Sequence, residues 1–183
     1  MNLLGMLLDS QGSPALKQLA SGFGLSEGEA QKVLTETVPA LSRGMQNNLS
    51  KQGGVEDLLG ALARGNHQRY IDQPESLSDE QASQEGNAIL GHLFGSKDVS
   101  RRVARHASGK TGVDESLLKK MLPVIATMVM GAVSKQAGSQ DLPGGLTAGG
   151  AGSSSAGLLN RFLDADKDGS VLDDILGMAG RFF

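Results

Sequence analysis

Apolar residues recur along this chain at helical spacing. Val33, Leu34, Val38, Leu41 and Met45 fall on one face of a helix. Leu117, Leu118, Met121, Leu122 and Ile125 repeat the pattern. Val99, Val103 and Ala107 form a sparser third stripe, facing inward from a segment rich in arginine. No stretch alternates apolar and polar long enough to predict a strand. The pattern therefore predicts an all-α, multihelical array of about seven short to medium helices.

Punctuation supports this reading. Ser26 with Glu29, and Ser78 with Gln81, each have the spacing of a capping box, where hydroxyl and side-chain acceptor satisfy orphan amides at a helix start. Asp114 precedes ESLLKKML as a third N-cap.

Two segments also read as copies of one unit, residues 19–54 and 106–138. Both open on Ala-Ser-Gly and continue with a glycine, an aliphatic residue and a cap: Gly24-Leu25-Ser26 and Gly112-Val113-Asp114. Both then carry a proline, Pro39 or Pro123, ahead of a Ser-Lys-Gln at Ser50 or Ser134. The first copy has about one more helical turn before its proline, and an insertion of one turn keeps a face in phase. A proline removes an amide donor and crowds the preceding turn, so each copy is expected to kink or restart there. The two units are expected to pack apolar face to apolar face.

Composition sharpens the picture. Aromatic residues make up 3% of the chain and Trp is absent, so the core is built from Leu, Val, Ile, Met and Ala, which suits helices. The chain has no Cys, which removes disulfides, thiolate metal sites and Cys nucleophiles. Net charge is −3, without the global basic field that nonspecific nucleic-acid binding uses.

The first residues, MNLLGMLLDSQG, lack the basic n-region and small-residue cleavage site of a secretory signal. The apolar run 121–133 is short for a bilayer and contains Pro123. A cytoplasmic protein that does not enter a membrane is expected.

Residues 137–157, rich in Gly, Ser and Ala, cannot bury enough apolar area to offset their ordering entropy. They read as a linker with a random-coil span of about 25 Å. The organisation expected is a helical domain over 1–136, this linker, and a cation-binding tail over 158–183. The segments VPALSRGMQ, EGNAILGHLFGS and GVDESLLKKMLPVIATMVMGAV, followed by the Gly-rich linker and the aspartate tail, resemble the bacterial YidB-like family, domain of unknown function 937. That resemblance implies a multihelical fold and no particular activity.

The tail holds the most specific chemistry. With Asp164 as position 1, Asp166, Asp168, Gly169, Ser170 and Val171 stand at positions 3, 5, 6, 7 and 8 of an EF-hand-like loop. Alternating aspartates wrap three carboxylates around one point. Gly169 permits the sharp turn, the Ser170 carbonyl adds an oxygen, and Val171 anchors the loop. Position 12 is Ile175 rather than an acid. Closure falls to Asp174 in a loop one residue shorter, with Asp173 as the second choice. The expected cofactor is calcium, bound at roughly 10⁻⁵ to 10⁻³ M; magnesium fits less well because it takes few carboxylates and keeps its waters. The same aspartates also suit a solvated turn that caps the final helix.

After the loop, Val171, Leu172, Ile175, Leu176, Met178 and Phe182 lie largely along one side. That apolar helix is suited to packing within its own chain or to meeting a protein partner.

Two other places attract attention. His67, Arg69, Tyr70 and Asp72, with Glu85, Asn87 and His92 nearby, could form a polar cluster. They come without a nucleophile motif or a zincin pair of histidines. His67 and His106 are expected at the surface, and His92 near a core face. Residues 97–110 carry Lys97, Arg101, Arg102, Arg105 and Lys110. With the helix that follows, they suggest a helix–turn–helix. Two functions follow: a noncatalytic helical interaction or scaffold protein with one weak calcium-binding loop, or a DNA-binding regulator using the Arg-rich helix. Acidic overall charge and scarce aromatics make nucleic acid the less favoured partner.

Overall fold

The computed structural model describes residues 3–8, 13–49 and 67–138. They form α1 (Leu3–Leu8), α2 (Pro14–Gly22), α3 (Glu27–Leu49), α4 (Arg69–Asp72), a 3-10 turn (Pro74–Ser78), α5 (Glu80–Phe94), α6 (Lys97–Thr111) and α7 (Glu115–Gly138). No strand occurs among the described residues. The all-α architecture expected from the pattern is observed. The linker expected from residue 137 loses its first two positions, Ala137 and Gly138, to α7; residues 139–157 and the tail beyond them lie outside the described residues.

Helix α7 is the centre. Every residue from 121 to 133 is buried, so the helix is covered on all sides rather than along a stripe. Helix α5 lies along it most extensively and α6 next, while α1, α3 and α4 close the remaining sides. Met121, Leu122, Ile125, Met128 and Val129 are almost completely enclosed. Burial of such side chains contributes about 1.5–3 kcal/mol each. The apolar run belongs to a longer helix than expected: Glu115–Lys135 is long and apolar enough to cross a membrane by length and composition alone. Its apolar surface is covered by this chain's own helices, with 78% of that window buried.

Two of the three caps form as expected. The Ser26 amide donates to the Glu29 carboxylate at 2.9 Å and the Glu29 amide donates to the Ser26 hydroxyl at 3.2 Å, which closes a reciprocal capping box. Asp114 Oδ1 accepts from the Ser116 amide at 2.8 Å and from the Leu117 amide at 3.3 Å. The third is a correction. Helix α5 starts after Asp79, and the Ser78 hydroxyl instead accepts from Gln18 Nε2 of α2 at 2.7 Å. A tertiary partner captured the side chain that the local motif reserved for a cap.

The paired segments share local structure. In each, a helix (α2 or α6) gives way to a left-handed glycine, Gly24 at φ 67° or Gly112 at φ 77°, then to a cap and a long proline-containing helix. Neither proline restarts its helix: α3 runs through Pro39 and α7 through Pro123. The two copies differ in surroundings. Helix α7 is enclosed, whereas α3 buries Val33, Leu34, Val38, Leu41 and Met45 and leaves its other face open.

The tightest crossing sits at Pro123. A Cβ on Gly86 of α5 would lie 1.9 Å from the Pro123 carbonyl oxygen, so the two backbones touch with no room for a side chain. The buried Thr127 hydroxyl, one turn along α7, is 2.7 Å from the Ala82 carbonyl and 3.1 Å from that of Pro123. It joins the two helices by a polar contact inside an apolar interface.

We expect Gly86→Ala to destabilise the protein by about 3 kcal/mol, the upper end for overpacking, because the obstacle is backbone and cannot rotate away. Gly109→Ala, at an exposed helical site with nothing near the added methyl, is expected to stabilise by about 0.5–1 kcal/mol. Urea unfolding of both variants checks the contrast.

Candidate functional site

The polar cluster suggested by residues 67–92 is partly assembled. Tyr70 of α4 is completely buried. The Arg69 guanidinium lies 4.6 Å from the centre of the Tyr70 ring and donates to the phenol oxygen. Arg69 also donates to Glu85 Oε1 at 3.1 Å, and Gln81 Nε2 donates to the same oxygen at 3.1 Å. His67 Nδ1 stands 3.4 Å from Glu85 Oε2.

His67 itself is a correction: it is buried, not a surface residue. Its carbonyl would lie 2.7 Å from a Cβ on Gly131, so a glycine of α7 admits the turn. His92 is a second correction, being exposed rather than near the core, although its carbonyl accepts from Asn48 Nδ2 at 2.8 Å. His106 is exposed as expected.

The remaining members point elsewhere. Asp72 pairs with Lys135 at 2.7 Å and ties α4 to the far end of α7. Asn87 donates to the Ser83 carbonyl of its own helix. The assembled part therefore works as a clamp: Glu85 holds Arg69 beside the buried Tyr70 ring, and with the buried His67 they fix the segment before α5 against the core.

Burial pushes the His67 imidazole below its ordinary value near 6.5, against the opposing pull of Glu85. Burial likewise raises the Tyr70 phenol, with Arg69 opposing.

A second site is an open cleft of about 440 Å³ where α5, the start of α6 and the first turns of α7 meet. Leu90, Leu122 and Pro123 give it an apolar floor, and Lys97, Arg101 and Lys119 give it three cationic side chains. Local rules explain its shape. Gly95, at φ 67°, ends α5 with its amide on the Gly91 carbonyl at 2.9 Å and turns the chain back. Ser96 then opens α6 without a side-chain cap hydrogen bond, and both Ser96 and Lys97 line the cleft. Pro123 has no amide to offer the carbonyl one turn earlier, that of Lys119.

The charges have partners behind the rim. Arg101 pairs with Asp98 at 3.0 Å and Lys119 with Glu115 at 2.7 Å, and both pairs are substantially exposed. Arg105, also in the Arg-rich segment, pairs with Glu115 at 3.7 Å. Of that segment, Lys97 and Arg101 line the cleft, while the exposed Arg102 and Lys110 do not. Reading the sequence alone missed Lys119, Asn87 and Pro123 as their neighbours. The burial of α7 from residue 121 onward leaves the second helix of the suggested helix–turn–helix no free face for a DNA groove beyond its first turns.

Among the described residues no group of three or more His, Asp or Glu side chains is arranged to hold a metal ion. Asp164, Asp166, Asp168, Ser170 and Asp174 lie outside the described residues.

A family model described as a bacterial protein of unknown function, DUF937, matches residues 5–136. No curated protein and no solved structure matches the chain.

The lowered value of His67 has a signed consequence. Below about pH 6.5 the unfolded chain takes up this proton before the folded one does, so the contribution of His67 is complete above that pH and is lost as the pH falls through the folded-state value. Stability is expected to decline on acidification from about pH 6.5, and His67→Gln to flatten that part of the profile. Asp72, Asp114 and Glu29, held below their ordinary values by their hydrogen-bond donors, act in a separate window below about pH 4.5. Denaturant midpoints across pH for both proteins test this. An identical slope in His67→Gln would sink it.

Proposed function

The chain belongs to this bacterial family of unknown function, and from the cleft and from the spacing of the tail aspartates we propose a noncatalytic helical interaction protein whose tail carries one weak calcium-binding loop. The observation that carries the reading is the cleft between α5, α6 and α7. It is open, with an apolar floor and a cationic rim, which suits a segment of polypeptide that is apolar on one side and acidic on the other. The polar cluster around Glu85, the other concentration of titratable groups, has its side chains turned toward one another.

The tail supplies the regulated part in this reading. The carboxylates of Asp164, Asp166 and Asp168, the Ser170 carbonyl and the Asp174 carboxylate would form the oxygen shell of a Ca²⁺ ion, with Asp173 as the alternative closure. A lone loop without a bidentate acid at its last position has a modest affinity. The apolar side made by Val171, Leu172, Ile175, Leu176, Met178 and Phe182 is the surface for a protein partner. The proposed setting is the cytoplasm.

Calorimetric titration of the intact protein with Ca²⁺, beside Asp164→Ala/Asp168→Ala and with Mg²⁺ as competitor, tests the loop. Saturable one-site heat at roughly 10⁻⁵ to 10⁻³ M is expected, lost in the variant while its helical circular dichroism stays unchanged. A flat titration of the intact protein with no difference from the variant would overturn the calcium assignment.

A further inference from the structure

Resting on the calcium reading above for its regulation, we propose that the basic-rimmed cleft is occupied by this chain's own tail, residues 164–183, and that Ca²⁺ binding to the aspartate loop releases it.

Charge complementarity is the first argument. The three charged residues that line the cleft, Lys97, Arg101 and Lys119, are all cationic. The tail carries Asp164, Asp166, Asp168, Asp173 and Asp174 against Lys167 and Arg181, three net negative charges. Asp98 and Glu115 already pair with Arg101 and Lys119. Exposed pairs of this kind are weak and exchange readily, so an incoming carboxylate can replace them.

Apolar complementarity is the second. Leu90, Leu122 and Pro123 form the floor, and the tail sets Ile175, Leu176 and Met178 close behind its aspartates. A segment that sets apolar residues directly behind aspartates matches a groove that is apolar at its base and basic at its rim.

Reach is the third. Helix α7 carries the chain away from the cleft: from Leu122 to Gly138 is sixteen steps along the helix, about 24 Å at its regular rise. The chain must cover that distance to return. The nineteen residues 139–157 between Gly138 and the tail are rich in Gly, Ser and Ala, and random-coil scaling gives a segment of that length a root-mean-square span of about 24 Å. A tether whose span matches the separation of its sites gives the highest effective concentration, roughly millimolar. Weak contacts then suffice to hold the tail in place.

Calcium opposes the docking for a simple reason. The carboxylates that coordinate the ion are those that would meet the cationic rim. An ion in the loop withdraws them and cancels two negative charges. The freed apolar side is then available to a partner.

The absence of Cys lets one introduced thiol report on the full chain. A nitroxide attached at Ala179→Cys is expected to broaden away the amide signals of Leu90, Gly91, Ser100 and Arg101 in Ca²⁺-free protein at low salt. Lys97→Glu/Arg101→Glu, and salt at about 1 M where screening acts over about 3 Å, should restore them. Signals that stay sharp, or broadening that falls elsewhere, would overturn the docking. Broadening between spin-labelled unlabelled-isotope chains and isotope-labelled unmodified chains in a mixture would make a second copy the occupant, which also overturns it.

Calcium separates the two readings. Restored signals at saturating Ca²⁺ support the release. Persistent broadening while calorimetry records binding overturns the release alone. Broadening at the cleft with no calorimetric binding supports the docking and overturns the calcium assignment.

Discussion

A helix buried on every side imposes the rest of this fold. From residue 121 to residue 133, α7 exposes no face to solvent, so its neighbours must form a closed sleeve. Helices in a two-layer packing need one apolar stripe each; a central helix needs several partners, each presenting its own stripe. Helices α5, α6, α1, α3 and α4 supply them. The near absence of aromatic residues fits this arrangement. Leu, Val, Ile, Met and Ala fill a sleeve at short interhelical distance, where large flat rings would hold the backbones apart.

Close approach then decides small details that would otherwise look arbitrary. Gly86 is glycine because the Pro123 carbonyl occupies the space of its side chain, and Gly131 because the His67 carbonyl does the same. The clamp of Arg69, Tyr70, Glu85 and His67 closes one side of α7 with a short helix and a 3-10 turn. A segment so short cannot hold itself by helical hydrogen bonds alone. It is fastened by side chains, a buried ring and an ion pair.

The two similar segments illustrate how one local plan serves two positions. Each has the same glycine turn, the same kind of cap and a proline within a long helix. In α3 the plan yields an amphipathic helix on the outside of the assembly. In α7 an apolar sequence on all faces takes it to the centre. Pro123, which removes one hydrogen bond from the ladder of α7, lines the open cleft.

Much of the helical plan was legible in the sequence. The stripe of Val33, Leu34, Val38, Leu41 and Met45, the Ser26–Glu29 box and the Asp114 cap depend on residues within about four positions of one another, and all were found as read. Tertiary structure decided the rest. Ser78 abandoned its local cap for Gln18, sixty residues away in sequence. His67, in a polar segment that reads as a surface loop, was drawn under cover against α7, while His92 in an apolar one was left outside. Lys119 joined Lys97 and Arg101 only because Gly95 turns α6 back toward α7. A cap or a stripe is a relation along one helix, and the chain's own covalent spacing enforces it. Burial of a particular polar residue, or the meeting of three cations from two helices, is a relation between helices, and it exists only once they have packed.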